Sequence, residues 1–296
     1  FLNRSIDVVF HHNQYKRIKT KYRKDLTTLE ESLTEENDTT SINFFTHRIT
    51  CSNIENKKIN YQYGYAINHE NINTLRVIEG DQKRTNFSFF YSFDYHLLGT
   101  DLRAAVRYLY SDKNENALTP SVNLKFNLGP VLTRLSYGYG FRMPSLKEMY
   151  FNFIDVNHYI QGNPELKSER SNNIQINLSS HFLDHHILTF NTFYNRIRDF
   201  ITLLQNENTT TFDYFNIGNY KTLGTKLGVD FNLNNSNFNF DISYLGRNSV
   251  YDSNLDFYTS FNTSLTHKFN SKHAMSIFYS FKGPRSYISK NTYGEI

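Results

Sequence analysis

Apolar and polar residues alternate with period two over long stretches of this chain, and this alternation constrains its fold more than any other feature. In the stretch that begins at residue 84, one set of alternate positions is almost wholly aromatic or aliphatic, and the intervening set is polar, with Phe90 as the single interruption. The first set comprises Thr85, Phe87, Phe89, Tyr91, Phe93, Tyr95 and Leu97. Because successive side chains of a β-strand point to opposite faces, this pattern predicts a long strand with one apolar and one polar face.

The same alternation recurs as far as Phe281, and the connections between the runs are short and long in turn. Tight turns are predicted at 98–100, 128–130, 234–236 and 270–272. Longer polar loops are predicted at 113–118, 143–170, 204–213, 247–256 and from 282 onward, and upstream at 18–37 and 68–83. In total, the pattern predicts about thirteen strands.

The length of the runs separates two classes of β protein. Strands of soluble sandwiches average about 5–6 residues, and the runs here are about twice that length. Runs of about ten residues, with short turns at one end and long loops at the other, are typical of an outer-membrane barrel, whose closure pairs every backbone group in lipid. The sequence therefore predicts an all-β, transmembrane, antiparallel up-and-down β-barrel. A large soluble meander or an adhesin built from long strands is the alternative.

Composition excludes several other classes. No stretch approaches the roughly 18–20 consecutive apolar residues that a membrane-spanning helix needs. The single cysteine, Cys51, allows no disulfide within the chain and no cysteine-based zinc site. The formal net charge is +4, but Lys and Arg are interleaved with acidic residues, so we expect no nucleic-acid partner. No nucleophile triad, HExxH, Walker or dinucleotide-binding pattern is present, so we expect no enzyme.

Two short motifs follow one another after the strand that ends at Phe141. The first is Phe141-Arg142-Met143-Pro144-Ser145, and the second is Gly162-Asn163-Pro164-Glu165-Leu166-Lys167-Ser168-Glu169. In this order and between two alternating strands, they resemble the FRAPS-type and GNPxLKPE-type boxes of TonB-dependent outer-membrane receptors. The resemblance covers residues 84–285, and Met143, Ser168 and Lys226 depart from the pattern of that family.

The resemblance implies a larger protein than this chain. Such receptors form a barrel of about 22 strands that encloses a plug. Residues 1–296 would then be the middle and late part of the barrel domain, without the plug and the closing strands. The start at Phe1, without an initiator Met or a signal peptide, likewise predicts a chain that begins in mid-protein or is processed.

For function, the resemblance implies energised uptake of a scarce metal complex, an iron–siderophore or haem, across the outer membrane of a Gram-negative bacterium. The expected partners are the TonB energy-transducing complex, reached through the missing plug, the small metal complex and outer-membrane lipids. The ligand is cargo, so no resident metal or cofactor is expected. The alternatives are a cobalamin, glycan or peptide receptor of the same family, or a passive porin-like channel.

Candidate ligand contacts lie in and between the two boxes, at Arg142, Tyr150, His158 and Tyr159. Haem receptors of this family carry a histidine between their boxes, His158 occupies that interval, and imidazole suits haem iron. A solvated surface histidine is the alternative. The box residues are expected to shape the loop, and ligand contact is the alternative. These residues are Phe141, Arg142, Pro144, Ser145, Gly162, Asn163, Pro164 and Leu166.

The alternation also assigns individual side chains to the two faces of the barrel wall. The lipid-facing set is predicted to include Leu124, Phe126, Leu227, Val229 and Phe240. The lumen-facing set is predicted to include Lys125, Lys226 and Asp241, together with Arg134, Ser136 and Arg142.

Overall fold

The computed structural model describes residues 4–33, 38–53, 58–155, 158–183, 185–205, 211–248 and 254–284. Seventeen strands and one short helix lie in these residues. The first nine strands are β1 (Arg4–Lys19), β2 (Tyr22–Lys24), β3 (Glu31–Leu33), β4 (Asp38–Asn53), β5 (Ile59–Asn73), β6 (Asp81–Leu97), β7 (Thr100–Ser111), β8 (Ala117–Leu128) and β9 (Val131–Arg142). After the helix α1 (Leu146–Tyr150) come β10 (Asn152–Asp155), β11 (His158–Gln161), β12 (Glu169–Phe182), β13 (His186–Gln205), β14 (Phe212–Leu233), β15 (Ser236–Arg247), β16 (Asp256–Lys268) and β17 (Ala274–Lys282).

Thirteen of these strands form one antiparallel sheet in which neighbours in space are neighbours along the chain. Their order is β1-β4-β5-β6-β7-β8-β9-β12-β13-β14-β15-β16-β17. The small hairpin β10–β11 joins this sheet through a short parallel pairing of β11 with β14, and β2 pairs with β3 in a sheet of two strands. The predicted all-β, up-and-down architecture and the predicted strand number are both confirmed.

The two ends of the sheet differ in their connections. Two-residue turns join β6 to β7, β8 to β9 and β14 to β15, at the positions that the sequence predicts. Gly99 and Gly129 lie in two of these turns with φ of +80° and +60°, a conformation that glycine adopts without steric cost. We call this the turn end of the sheet. The opposite end, which carries α1, β10 and β11, is called the loop end.

The predicted boundaries of several loops are wrong, because the strands continue beyond the alternating stretch. The predicted loop 68–83 shortens to 74–80, since β5 runs on to Asn73 and β6 begins at Asp81. At the loop end these extensions are polar apart from the buried Ile72, so the ladder of hydrogen bonds continues although the hydrophobic alternation has ended. The predicted loop 143–170 contains α1, β10 and β11, and its last two residues already belong to β12.

The register confirms the predicted division of side chains between two faces. Lys226 forms an ion pair of 3.1 Å with Asp241, and Lys125 forms one of 2.9 Å with Asp101. Leu227 lies opposite Ile242 on the other face, where their exposed fractions are 41% and 39%. One face of the wall is therefore polar and internally paired, and the other is apolar and uncovered.

Phe90, the residue that interrupts the alternation, lies on the polar face opposite Gly64. A Cβ atom on Gly64 would lie 2.8 Å from the Phe90 ring and would collide with the carbonyl oxygen of Ile49. The guanidinium carbon of Arg107 lies 5.7 Å from the centre of the Phe90 ring, within the range of a cation–π contact. The interruption is thus accommodated by a missing side chain on one neighbouring strand and a cation on the other.

The buried apolar cluster lies at the loop end of the sheet and not against either of its faces. Ile72, Val77 and Leu146 form it, and Ile42 and Tyr150 pack against it. By contrast, large apolar side chains in the middle of the strands remain exposed, as they do on the outside of a transmembrane barrel. Within the described ranges, no helix is long and apolar enough to cross a membrane.

Candidate functional site at the loop end

The first box ends strand β9 and starts helix α1. Pro144 is almost fully buried and, lacking an N–H group, cannot continue the ladder. Ser145 caps the helix: its hydroxyl accepts a hydrogen bond from the Glu148 N–H at 3.2 Å, and the Glu148 carboxylate accepts one from the Ser145 N–H at 2.7 Å. This reciprocal capping box satisfies two backbone donors and begins the helix at Leu146.

Arg142 joins this helix to the strand wall. Its guanidinium donates two hydrogen bonds of 2.8 and 2.6 Å to Glu169 on β12, and two of 3.1 and 3.0 Å to Glu148 on α1. Glu169 also accepts a hydrogen bond from the Ile201 N–H at 2.8 Å, so the same carboxylate ties β12 to β13. The Arg142 side chain as a whole nevertheless stays 45% exposed.

The ionisation of Glu148 follows from these contacts. Partial burial opposes the charged carboxylate, but hydrogen bonds from the Ser145 N–H and from Arg142 outweigh it and lower the pKa of Glu148 from its ordinary value of 4.5. Glu148 is therefore a carboxylate at neutral pH and holds both the helix cap and Arg142.

The second box packs directly against the end of α1. The Gly162 N–H donates a hydrogen bond of 2.5 Å to the Phe151 carbonyl, and the Asn163 N–H donates one of 2.9 Å to the Glu148 carbonyl. A Cβ atom on Gly162 would lie 2.7 Å from the Met149 backbone carbon, closer than such atoms approach. Only glycine allows the two boxes to come this close.

Hydrogen bonds from the second box also reach β14. The Asn163 side chain donates to the Tyr214 carbonyl at 3.1 Å and accepts from the Glu165 N–H at 2.9 Å. Asn216 holds both backbone groups of Lys167, accepting from its N–H at 2.7 Å and donating to its carbonyl at 2.9 Å. In the same segment, Leu166 and Ser168 are buried, whereas Pro164 contributes its ring to the turn before them.

Arg84 is a site residue that the sequence analysis missed. It is 7% exposed and lies under the first box, where it donates to the Pro144 carbonyl and to Asn114 and forms an ion pair of 2.8 Å with Glu70. A buried guanidinium needs such partners, because removing one leaves a charge uncompensated. Nothing in the local sequence distinguishes Arg84 from other arginines at strand ends, since its partners come from three other segments.

One predicted ligand contact, Tyr150, and one residue of the first box, Phe141, lie elsewhere than on an open loop. Tyr150 packs against the buried cluster, its carbonyl accepts from the Ile78 N–H at 2.8 Å, and Lys113 lies 5.6 Å from its ring centre. Phe141 lies on the apolar face of β9, away from the polar face that carries Arg142. The structure thus brings together Arg142, Pro144, Ser145, Gly162, Asn163 and Leu166, and it sets Phe141 apart.

His158 and Tyr159 begin strand β11, where their backbones pair with Asp155 and Ile154 of β10. They therefore lie at the tip of a hairpin at the loop end. Their side chains lie outside what the structure describes, so the proposed haem contact remains a prediction. Within the described residues, no group of three or more His, Cys, Asp or Glu side chains could hold a metal ion.

A sequence profile of the family described as "TonB dependent receptor-like, beta-barrel" matches residues 7–294. This chain belongs to the TonB-dependent receptor β-barrel family. The resemblance seen in the two boxes is thereby confirmed, and with it the assignment to an outer-membrane type of barrel. No curated protein sequence matches the chain significantly.

Solved structures of three receptors share this fold at low sequence identity. A mutant of the ferric enterobactin receptor PfeA from Pseudomonas aeruginosa superposes with a TM-score of 0.72 at 13% identity, over 95% of this chain and 48% of that one. The siderophore receptor PirA from Acinetobacter baumannii gives 0.73 at 11% identity, over 96% and 49%. The FrpB iron transporter from Neisseria meningitidis gives 0.61 at 14% identity, over 87% and 48%. The chain therefore spans about half the length of these receptors.

Proposed function

We propose that this chain forms the wall of an outer-membrane receptor that takes up a scarce iron complex with energy from the TonB complex. The observation that carries the proposal is the family match over residues 7–294, since a receptor of this family combines such a wall with a ligand-binding loop end. An iron–siderophore or haem is the proposed cargo. The solved relatives support iron, because they are by name a ferric enterobactin receptor, a siderophore receptor and an iron transporter.

The geometry of the loop end supports a receptor rather than an unspecialised pore. The two boxes, α1 and the ends of β12 and β14 are locked together by the Arg142, Gly162 and Asn216 contacts. A preorganised base of this kind lowers the entropy cost of ligand binding to the loops above it. Arg142 contributes to this base by joining Glu148 of α1 to Glu169 of β12, and its charge is balanced by these two carboxylates.

The proposal is tested by uptake in a deletion strain that carries the full-length gene. Radioactive iron would be supplied as a catecholate siderophore complex or as haemin, and labelled cobalamin would be supplied in parallel, each with and without a functional tonB gene. We expect accumulation of one iron complex that requires both genes. Accumulation without TonB would indicate a passive channel. Failure to accumulate any of the three compounds would exclude uptake of these metal complexes and indicate a glycan or a peptide as the cargo.

One substitution distinguishes haem from a ferric siderophore as the cargo. If haem is the cargo, His158→Ala in the full-length receptor should abolish the haem absorbance shift and growth on haem iron, because imidazole supplies an axial nitrogen. His273→Ala, at the exposed turn between β16 and β17, is the matched control and should change neither. If a siderophore is the cargo, both variants should behave like the wild type.

A further inference from the structure

Cations gather on the outward face of the sheet where β12, β13 and β14 reach the loop end. The register places Arg170 opposite Arg198, and Arg196 opposite Lys221. These four residues share the face that carries Ile174, Tyr194 and Leu223, which lie opposite one another across the same three strands. They are called the outward cation cluster below. Its side chains point away from the polar face and therefore from the path of any cargo.

The outward cation cluster lies on the loop-end side of the apolar side chains of the outward face, which are called the apolar band. Along β13, Arg196 and Arg198 follow Tyr194 at intervals of two residues, which corresponds to roughly 7 Å per interval in a strand. Tyr137, in the same band, donates its hydroxyl to Asn172 at 2.9 Å, as an interfacial tyrosine does with its polar end. The cluster therefore lies at the depth of the lipid headgroups in the leaflet that surrounds the loop end.

The charges of this cluster are largely uncompensated. Arg170 forms an ion pair of 2.7 Å with Glu115, whereas Arg196 donates a hydrogen bond of 2.9 Å to the neutral side chain of Asn219. Among the described residues, neither Arg198 nor Lys221 has a carboxylate within ion-pair distance, and Arg198 is exposed. Three cations of the polar face differ in this respect, because Arg103, Lys125 and Lys226 each pair with an aspartate.

We propose that the outward cation cluster binds the phosphate groups of phosphorylated lipids in the surrounding leaflet. The proposal rests on the outer-membrane placement given above. Guanidinium groups match phosphate oxygens in geometry and charge, and neighbouring cations at a membrane surface attract anionic lipids additively. Free phosphate in solution is expected to bind more weakly than a lipid phosphate, because the acyl chains of a lipid also contact the apolar side chains next to the cluster.

The test measures lipid retention by the full-length receptor. Wild-type protein would be purified in mild detergent, incubated with lipopolysaccharide that carries phosphorylated lipid A, and analysed by native mass spectrometry. The test variant combines Arg196→Gln, Arg198→Gln and Lys221→Gln. The matched control combines Lys125→Gln, Arg134→Gln and Lys226→Gln, which removes three cations from the polar face. We expect the test variant to weaken lipid binding roughly tenfold or more, and the control to bind like the wild type.

Three further arms identify the ligand chemistry and the folded state. Dephosphorylated lipid A should bind the wild type and the test variant equally, and inorganic phosphate at matched phosphate concentration should not displace the lipid. A variant with Arg196→Lys and Arg198→Lys keeps the charge and should retain most of the binding. Heat-modifiable electrophoretic mobility verifies that each variant is folded.

Equal retention of phosphorylated lipid A by the folded test variant and the control would overturn the proposal, as would displacement by inorganic phosphate. Neither result would affect the proposed uptake function, which is measured separately by TonB-dependent accumulation of iron. Conversely, a receptor that retains the lipid through these three residues but accumulates no metal complex would contradict only the proposed function.

Discussion

The contact between Gly162 and the end of α1 gives the sharpest quantitative prediction, for the substitution Gly162→Ala. The added Cβ atom would lie 2.7 Å from backbone atoms of Met149 and Phe151, whereas ordinary contacts of a Cβ begin at 3.4 Å. The clashing atoms belong to the backbone and cannot rotate away. The two boxes must therefore separate by about 0.7 Å.

The expected cost follows from what this separation disturbs. Overpacking of a tight contact costs about 1–3 kcal/mol, and each of the two stretched hydrogen bonds adds about 0.5 kcal/mol, the lower end of what a whole bond contributes. Two backbone bonds lie directly at the contact, from Gly162 to Phe151 and from Asn163 to Glu148. We expect the loop-end structure to lose about 2–4 kcal/mol of local stability, while the strands of the sheet keep theirs.

Hydrogen exchange measured by mass spectrometry tests this prediction. Peptides that cover residues 145–166 should exchange roughly 30- to 1,000-fold faster in Gly162→Ala, and peptides from β13 should not change. Gly138→Ala is the matched control, because a Cβ atom there has no neighbour within 4 Å. Equal exchange in the two variants would show that the boxes do not depend on their close approach.

Three further predictions concern faces, pH and orientation. Val229→Arg places a charge on the lipid-facing side and should cost about 2–4 kcal/mol of stability, whereas Lys226→Ala breaks a half-exposed ion pair worth about 0–1 kcal/mol. In urea refolding, Val229→Arg should therefore lower the folded fraction much more than Lys226→Ala does. Since folding lowers the pKa of Glu148, its stabilising contribution is present above pH 4.5 and is lost as the pH falls through the lower folded value. Acid should therefore lower the protection factors of the α1 amides, which are the intrinsic exchange rates relative to the measured rates at each pH, in the wild type but not in Glu148→Gln. Because the long loops of outer-membrane barrels face the outside of the cell and the short turns face the periplasm, protease added to whole cells should cut within residues 143–170 and spare Asn235; the reverse pattern would show that the loop end faces the periplasm.

The sequence predicted the sheet well because one physical constraint acts on every strand in the same way. Each membrane-spanning segment must present apolar side chains on one face, so the period-two pattern marks the strands and the turns between them. The interruption at Phe90 could not be explained in advance, because its partner Gly64 lies on the neighbouring strand. The loop-end extensions of the strands were also missed, since they are polar apart from Ile72 and the alternation therefore disappears.

The loop end was predicted only in part, for a different reason. Helix α1 had a readable signal, the spacing of Ser145 and Glu148 that forms a capping box, and the interpretation of 143–170 as a single loop overlooked it. Arg84 had no such signal, because its partners Glu70, Asn114 and Pro144 meet only in the folded chain. Local motifs thus identified the two boxes, while the contacts that hold them together depend on the register of distant strands.

The charged side chains differ in their partners between the polar face, the loop end and the outward face of the wall. On the polar face, Arg103, Lys125 and Lys226 each pair with an aspartate on an adjacent strand. At the loop end, Arg142 is shared between Glu148 and Glu169, so its single positive charge is more than balanced by two carboxylates. On the outward face, Arg198 and Lys221 have no such partners among the described residues, although an uncompensated charge beside lipid is costly. Such charges are stable there when the leaflet itself supplies the anions, and this is why the position of a cation on the wall, rather than the net charge of +4, indicates its partner.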